Sequence, residues 1–310
     1  MDMKELTYLI TIAEEKSISR AAEKLFMAQS SLSQALQSME TEMGGKLFVR
    51  MPAGVRPTEA GNLMIQYAQK MLLNYHEIKS QISDLEHLEK GRVDFGISTF
   101  RGSYLLPSVL HTLKCRHPQI QVEIHEDNSM ALEQLLIDGK IDLALLALPL
   151  KKLKSQVRHV MNDEIMIVAS KEHPIREVAK KTTRNGKSIE YIELEDTMNF
   201  EYILSDYDTI LGSISRREFS KRNLVPRVQN ANLTALFAVA MAKEGDGLAF
   251  TYRSCKTDQD RTSYYSIGKE GVFIQLVLAY AQGRYRSRAA QSLEKVLLEE
   301  LEEKDLFSHL

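Results

Sequence analysis

One uninterrupted segment, residues 58–89, most constrains what this chain can fold into. It contains no proline and only one glycine, Gly61, near its start, so it is predicted to form a single helix about 48 Å long at about 1.5 Å per residue. Its apolar residues alternate in spacings of four and three, which is typical of a coiled-coil seam. These residues are Met64, Ala68, Met71, Tyr75, Ile78, Ile82 and Leu85. Because one helix cannot bury such a seam alone, we predict self-association through it, with packing on its own domain as the alternative.

The apolar pattern differs on the two sides of this helix. Residues 1–57 carry apolar side chains at helical spacing, whereas strand-like alternation begins at Val93, Phe95 and Ile97. Strands then alternate with helices in two similar runs, which is typical of parallel α/β sheets. The predicted domains are an N-terminal module (1–57), a linker helix (58–90) and two α/β lobes (91–310), with lobe I at 91–163 and 268–310 and lobe II at 164–267.

Three local expectations within the lobes bear on a binding site. The first helix of lobe I is predicted over residues 104–116. The charged, glycine-containing segment 176–187 is predicted to be a solvated loop. In lobe II a strand is predicted over 225–228, and we interpret Asn230 and Asn232 as N-cap residues of the helix that follows.

The N-terminal module has the pattern of a helix-turn-helix. Helices are predicted over residues 4–14, 18–25 and 29–43, with a tight turn at 26–28 between the second and third. Apolar residues at four and three spacing fill one face of the third helix, so its opposite face is polar and uncharged. Amide and hydroxyl groups there can read base edges in the major groove, although an ordinary solvated face is the alternative. The candidate base-reading residues are Gln29, Ser30, Ser33, Gln34 and Gln37.

A wing is predicted after the third helix, as two short strand-like pieces within residues 44–57. Lys46, Arg50 and Arg56 lie in it and are predicted to neutralise phosphates without reading sequence. The whole chain has 40 basic and 42 acidic residues, a net charge of -2. DNA binding must therefore depend on local segregation of charge and on duplication of the module by dimerisation.

The chain lacks the residues that several classes of protein need. Cys115 and Cys255 form no CxxC pair, and the histidines do not pair at metal-ligand spacing. There is no GxSxG, P-loop or GxGxxG motif. The N-terminus lacks a signal-peptide pattern, and no apolar run approaches about 18 residues. We expect a cytoplasmic protein that is not an enzyme, with no catalytic residues, no metal, no cofactor and no membrane contact.

Three stretches resemble the winged helix-turn-helix signature of the LysR-type transcriptional regulators in order and spacing. They are residues 26–42 (FMAQSSLSQALQSMETE), 47–50 (LFVR) and 57–61 (PTEAG). Shorter words similar to that family follow at 105–107, 138–143, 173–174 and 245–250. Three positions depart from the family pattern: Ser30 and Tyr252 stand where proline is common, and Gln37 where arginine is frequent, so base preference cannot be transferred.

The resemblance implies a multidomain α/β protein. Its parts would be an N-terminal winged helix-turn-helix, a long linker helix and two Rossmann-like α/β lobes resembling periplasmic binding proteins. The implied partners are double-stranded operator or promoter DNA, a small-molecule effector, further copies of the chain as a dimer or tetramer, and RNA polymerase. We therefore predict a sequence-specific transcriptional regulator whose effector alters the binding of the oligomer to DNA. The alternative is a solute-binding protein or transferase on the same lobes, with an N-terminal module for protein contacts.

Paired α/β lobes bind small ligands in the cleft outside the carboxyl ends of their strands. The first strand of lobe I ends at Ser98-Thr99, no acidic residue lies between Ile97 and Pro107, and the free N–H groups of the next helix favour an anion. We expect hydroxyl groups there to bind a carboxylate, two aromatic side chains to give apolar cover, and Arg101 either to pair with the ligand or to face solvent. The candidate effector-binding residues are Ser98, Thr99, Phe100, Arg101, Ser103, Asn128, Ser129, Ala147, Tyr202 and Ser205.

Overall fold

The computed structural model describes residues 1–52, 54–85, 90–153, 157–257 and 261–302. The chain divides into two compact units, residues 1–86 and 87–310. Each unit buries apolar side chains of its own. Among the described residues, no helix is long and apolar enough to cross a membrane.

The first unit consists of four helices and a two-stranded wing in its described residues. In chain order these are α1 (Met3–Glu15), α2 (Ile18–Lys24), α3 (Gln29–Glu42), β1 (Phe48–Met51), β2 (Gly54–Pro57) and α4 (Glu59–Leu85). Side-chain caps begin the first two helices: Asp2 forms a capping box with Glu5, and the Ser17 hydroxyl accepts from the Arg20 amide. Leu9, Leu32 and other apolar residues of α1–α3 then form one core.

The long helix α4 contributes to that core, which corrects part of the predicted seam. Ala68 is fully buried in the first unit and Met64 packs against the same cluster, so these two side chains contact their own domain, as α4 lies against α1. From Tyr67 onward a stripe of apolar side chains is exposed. This stripe comprises Tyr67, Met71, Tyr75, Ile78, Ile82 and Leu85. The predicted last turn of the helix, residues 86–89, lies outside the described residues.

Strands and α-helices alternate along two parts of the second unit, from β3 to β5 and from β9 to β11, with runs of strands after each. The elements are β3 (Gly91–Ile97), α5 (Thr99–Arg116), β4 (Ile120–Glu126), α6 (Ser129–Ile137), β5 (Leu143–Ala147), β6 (Val157–Ser170), β7 (Lys180–Arg184), β8 (Lys187–Ile192), β9 (Glu201–Ser205), α7 (Ile210–Lys221), β10 (Arg227–Leu233), α8 (Ala235–Glu244), β11 (Ala249–Tyr252), β12 (Thr262–Ile267), β13 (Val272–Tyr280) and α9 (Arg288–Glu302).

The long strand β6 joins the two lobes. The main sheet has the order β4-β3-β5-β13-β6-β12-β8-β7, and β11 also pairs with β6. The first half of β6 pairs with β13, whereas its last residues pair with β11 and β12. In lobe I, β4, β3 and β5 run parallel, so their carboxyl ends meet at one edge of the sheet. In lobe II, β9 and β10 pair in parallel as a separate two-stranded sheet.

The segment predicted as a loop over residues 176–187 is instead mostly a β-hairpin. β7 and β8 pair around Asn185-Gly186, both with positive φ. Asn-Gly favours this type of two-residue turn, so the signal for a hairpin was present in the sequence. The charged residues concealed it, because Lys180 and Lys181 of the edge strand β7 are exposed and apolar alternation there is weak.

The N-cap interpretation of Asn230 and Asn232 is also wrong. Both residues lie within β10, which extends to Leu233, and the helix α8 is capped by Thr234, whose side chain accepts from the Phe237 amide. A strand was predicted here only over residues 225–228. Its extension to Leu233 was missed because most of its side chains are exposed, which leaves no alternating pattern.

Candidate DNA-binding face and effector site

The helix α3 presents a polar, uncharged face opposite a buried stripe. Leu32, Leu36 and Met39 are buried in the first unit's core. Of the five residues predicted to read bases, four are exposed: Gln29, Ser30, Gln34 and Gln37. Ser33 is half-buried at the edge of the face, so it contributes less surface than predicted.

The N-terminal end of α3 has no side-chain cap. Its N-cap residue is Ala28, which supplies no hydrogen bond to the first turn. Amides of a first helical turn need acceptors from outside the helix, and a phosphate oxygen suits them. The end of α3 is therefore left available to an anionic partner.

A buried carboxylate, that of Glu40, holds the wing against α3. It is 8% exposed and accepts from the amides of Leu47 (3.0 Å) and Phe48 (3.3 Å) and from Lys46 Nζ (2.6 Å). Burial opposes ionisation, but the hydrogen bonds from Lys46 and the two amides outweigh it and lower the pKa of Glu40. Sequence reasoning missed this residue, because an acidic side chain on a helix is usually solvated.

The three basic residues predicted to contact phosphate are exposed but differ in their partners. Lys46 has its charge paired with Glu40. Arg50 lies on β1 and Arg56 on β2, on exposed positions of the wing. The wing itself is fixed to the helices by the Val55 amide, which donates to the Lys16 carbonyl at 2.9 Å.

The first helix of lobe I begins five residues earlier than predicted. α5 starts at Thr99, with Ser98 as an N-cap that makes no side-chain hydrogen bond to the helix. Thr99 is exposed, and the exposed Ser103 hydroxyl donates to the Thr99 carbonyl at 2.9 Å. The prediction failed because Phe100 and Gly102 are buried against the core, which sequence alone did not indicate. The free amides near Ser98 and Thr99 thus belong to the helix itself.

Arg101 neither faces solvent nor stands free. It is 3% exposed, its guanidinium carbon lies 3.7 Å from the centre of the Tyr252 ring, and its Nε lies 3.7 Å from Asp163 Oδ2. The Ser254 hydroxyl and amide both donate to the Asp163 carboxylate. Burial raises the pKa of Asp163 against the opposing charge of Arg101 and these hydrogen bonds. The predicted solvent-facing role of Arg101 is therefore wrong.

The start of α5 also contacts lobe II. The Phe100 and Tyr252 rings lie 5.8 Å apart, centre to centre, and Lys243 of α8 lies over the Tyr104 ring. Phe100 is buried. The first turn of α5 is consequently held at the junction of the two lobes.

The remaining candidates of lobe I follow the same sheet edge. Asn128 is the N-cap of α6, and its side chain accepts from the Ala131 amide at 3.0 Å. Ser129 is half-buried, and Ala147 is buried at the end of β5. The parallel pairing of β4, β3 and β5 brings Asn128, Ser129 and Ala147 to the edge at which Ser98 lies.

In lobe II the predicted apolar cover from Tyr202 is wrong. Tyr202 is fully buried, its hydroxyl is 2.6 Å from Thr197 Oγ1, and its ring packs on Phe219 and Phe250. Tyrosine was assigned to a cleft because its ring and hydroxyl suit ligands, but here both are satisfied in the core. Ser205 ends β9 and is also buried.

Among the residues that the structure describes, no group of three or more histidine, cysteine, aspartate or glutamate side chains could hold a metal ion. The groups described above that can bind a partner are exposed amides and hydroxyls on α3, exposed arginines on the wing, and hydroxyls at the start of α5.

Both units match known protein families. Residues 3–62 match the family described as bacterial regulatory helix-turn-helix protein, lysR family, and residues 86–302 match the LysR substrate binding domain. The predicted fold class agrees with both matches, and the predicted absence of enzymatic function agrees with the family of regulators that the first match names. The first match also favours DNA binding over the alternative of a solute-binding protein or transferase.

Individual relatives are similar over different shares of the chain. BenM of Acinetobacter baylyi, an HTH-type transcriptional regulator, is 26% identical over 84% of this chain and 83% of its own length. A probable RuBisCO transcriptional regulator of Trieres chinensis is 34% identical over 58% of this chain and 59% of its own length. The structure of full-length CbnR complexed with its target DNA superposes with a TM-score of 0.67 at 14% identity, covering 97% of this chain and all of that one. This last likeness establishes a shared fold.

Proposed function

This chain belongs to the LysR family of DNA-binding transcriptional regulators with an effector-binding domain, and we propose that α3 reads its operator while an anionic small molecule at the start of α5 modulates that binding. The observation that carries the first part is the exposed, uncharged face of α3 opposite a fully buried stripe. Amide and hydroxyl groups on such a face can pair with base edges without repelling phosphate.

Replacing Gln34 by alanine is expected to relax sequence preference at particular base pairs by about 1 to 3 kcal/mol, since a glutamine amide that pairs with a base edge would be lost. Gln34 is exposed on the middle of α3, so the fold should not change. Gel-shift titration with operator duplexes mutated one base pair at a time measures the effect. An unaltered profile of sequence preference would contradict the assignment of Gln34 to base reading.

The variant Arg50→Ala provides the contrast. Its guanidinium is exposed on the wing, and loss of a phosphate contact should weaken binding to all sequences and reduce the slope of affinity against salt by about one unit. The two variants therefore separate base reading from backbone contact within one protein.

The proposed effector site lies at the start of α5. Helix N-termini carry roughly half a positive charge, and α5 has no side-chain cap or acidic residue in its first turn. Ser98, Thr99 and Ser103 place hydroxyls at this end, and the carboxyl edge of the lobe I sheet brings Asn128 and Ser129 to the same side. These groups suit a small carboxylate or a similar anion.

Replacing Thr99 by valine should remove one hydroxyl and keep the side-chain shape. Loss of a hydrogen bond to a charged group is expected to cost about 1.5 to 3 kcal/mol of effector affinity, while DNA binding without effector persists. A thermal-shift screen of small organic acids, followed by isothermal titration, measures this. Ser108→Ala on the same helix, where the hydroxyl donates to Leu105, is the control. Equal affinity of the Thr99 variant and the parent would place the site elsewhere.

We further propose that the exposed stripe of α4 joins copies of the chain into a dimer or tetramer. Of the seven seam residues predicted from the sequence, five are exposed: Met71, Tyr75, Ile78, Ile82 and Leu85. The exposed Tyr67 extends this stripe at its N-terminal end. Action in the cytoplasm, with RNA polymerase as a further partner, follows from the family and is part of the same proposal.

A further inference from the structure

The turn between α2 and α3 holds a large apolar side chain almost entirely in solvent. Phe26 is 96% exposed, more than any other large apolar residue in the described part of the chain. Its backbone has a φ of +54°, in the left-handed region. The positive φ is unfavourable for folding and the exposed ring is at best neutral, so both features require an explanation.

The backbone conformation follows from the way α2 ends. The Phe26 amide donates to the Glu23 carbonyl and the Met27 amide to the Ala22 carbonyl, each at 3.0 Å. This is the hydrogen-bond pattern of a Schellman motif, in which the residue with positive φ is usually glycine and sometimes asparagine. A side chain with a Cβ is strained in this conformation. Glycine at position 26 would therefore stabilise the first unit.

The ring gives the fold nothing in return, because at 96% exposure it packs on almost no neighbour. Residue 26 is thus occupied by a side chain that costs stability and gains no internal contact. Strained residues of this kind are typical of sites that act on another molecule.

The position of Phe26 relative to α3 indicates which other molecule the ring contacts. Phe26 precedes Gln29, the first residue of α3, by three residues, a distance of at most about 11 Å along the chain. In a helix-turn-helix the N-terminal residues of the recognition helix enter the major groove, between the two phosphate backbones. Phe26 therefore lies close in the chain to Gln29 and to the uncapped end of α3.

We propose that Phe26 is part of the DNA interface, with its ring packed against a deoxyribose of the backbone that borders the groove. This inference rests on the proposed reading of DNA by α3. An uncharged ring contributes by apolar contact, so its share of the affinity does not depend on sequence or on the release of counterions.

The variants Phe26→Gly and Phe26→Asn test this with two readouts of opposite sign. The melting temperature should rise, because backbone strain is relieved. Affinity for DNA should fall roughly tenfold, as expected for loss of a buried ring, and by a similar factor for a duplex from upstream of the protein's own gene and for a scrambled duplex of equal composition. The salt slope should stay as in the parent, and Phe26→Tyr, which keeps the ring, should retain affinity.

The outcomes separate the possibilities. Unchanged DNA affinity in Phe26→Gly and Phe26→Asn would overturn the inference. The inference would also fail if these variants bound DNA like the parent and lost only the binding of a protein partner such as RNA polymerase. A lower melting temperature in both would show that the ring stabilises the fold and would overturn it too. If Gln34→Ala alters sequence preference while the Phe26 variants bind like the parent, only this inference fails and the reading of DNA by α3 stands.

Discussion

Replacing Ile78 and Ile82 together by lysine is expected to dissociate the oligomer and to lower operator affinity by about a hundredfold or more, since two linked modules gain that much from effective concentration. Both side chains are exposed on α4, at 54% and 51%. They contribute little to the fold of their own unit, so the change should act on the contact between copies. Two charges buried in an apolar seam would make that contact strongly unfavourable.

Sedimentation velocity measures the oligomer, and gel-shift titration measures the affinity. The control is the double variant Asn62→Lys, Gln66→Lys, which adds the same two charges to α4 at exposed positions outside the stripe. It should keep both the oligomer and the affinity. An unchanged sedimentation coefficient for the isoleucine variant would reject self-association through the stripe.

Replacing Glu164 by alanine should destabilise the second unit by about 3 to 5 kcal/mol, the usual cost of removing one partner from a buried ion pair. Glu164 is fully buried on β6. Its carboxylate accepts from Arg184 Nη1 at 2.8 Å, from Arg253 Nε at 2.7 Å and from the Ser266 hydroxyl. The variant would leave two largely buried arginines without this carboxylate.

Chemical denaturation of the full chain tests the expectation, with Glu190→Ala as the control. Glu190 is also paired, with Lys181 at 3.5 Å, but both side chains are largely exposed, so its loss should change stability by no more than about 0.5 kcal/mol. Similar losses in the two variants would contradict a structural role for the Glu164 network.

The contrast between these two glutamates shows where sequence reasoning stops. Asp163 and Glu164 are adjacent acidic residues just before the apolar run that begins at Ile165, and such residues are normally exposed. The structure buries both, since β6 begins at Val157 and crosses from one lobe to the other. Their partners, Arg101, Arg184 and Arg253, lie on three separate elements, and no local pattern connects them.

The same dependence on contacts between distant residues explains why two predictions at the effector site are wrong. Tyr202 and Arg101 are side chains that commonly bind ligands. Tyr202 lies on β9, and Arg101 comes two residues after the predicted end of the first strand of lobe I. Whether they face a ligand or the core depends on what packs across from them, here Phe250 for one and Tyr252 for the other. Both aromatic residues belong to β11, about 50 and 150 positions away in the sequence.

Local patterns by themselves determined much of the secondary structure: the polar face of α3, the long helix α4 and most of the alternation of strands and helices follow from spacings of 3.6 and 2 residues, which act over a few positions. Only the tertiary structure decided how those faces are used. It buried Ala68 and left Ile78 exposed on one seam, and it paired buried acids with distant arginines. The physical reason is that burial and charge pairing depend on contacts between residues far apart in the chain, whereas periodicity depends only on near neighbours.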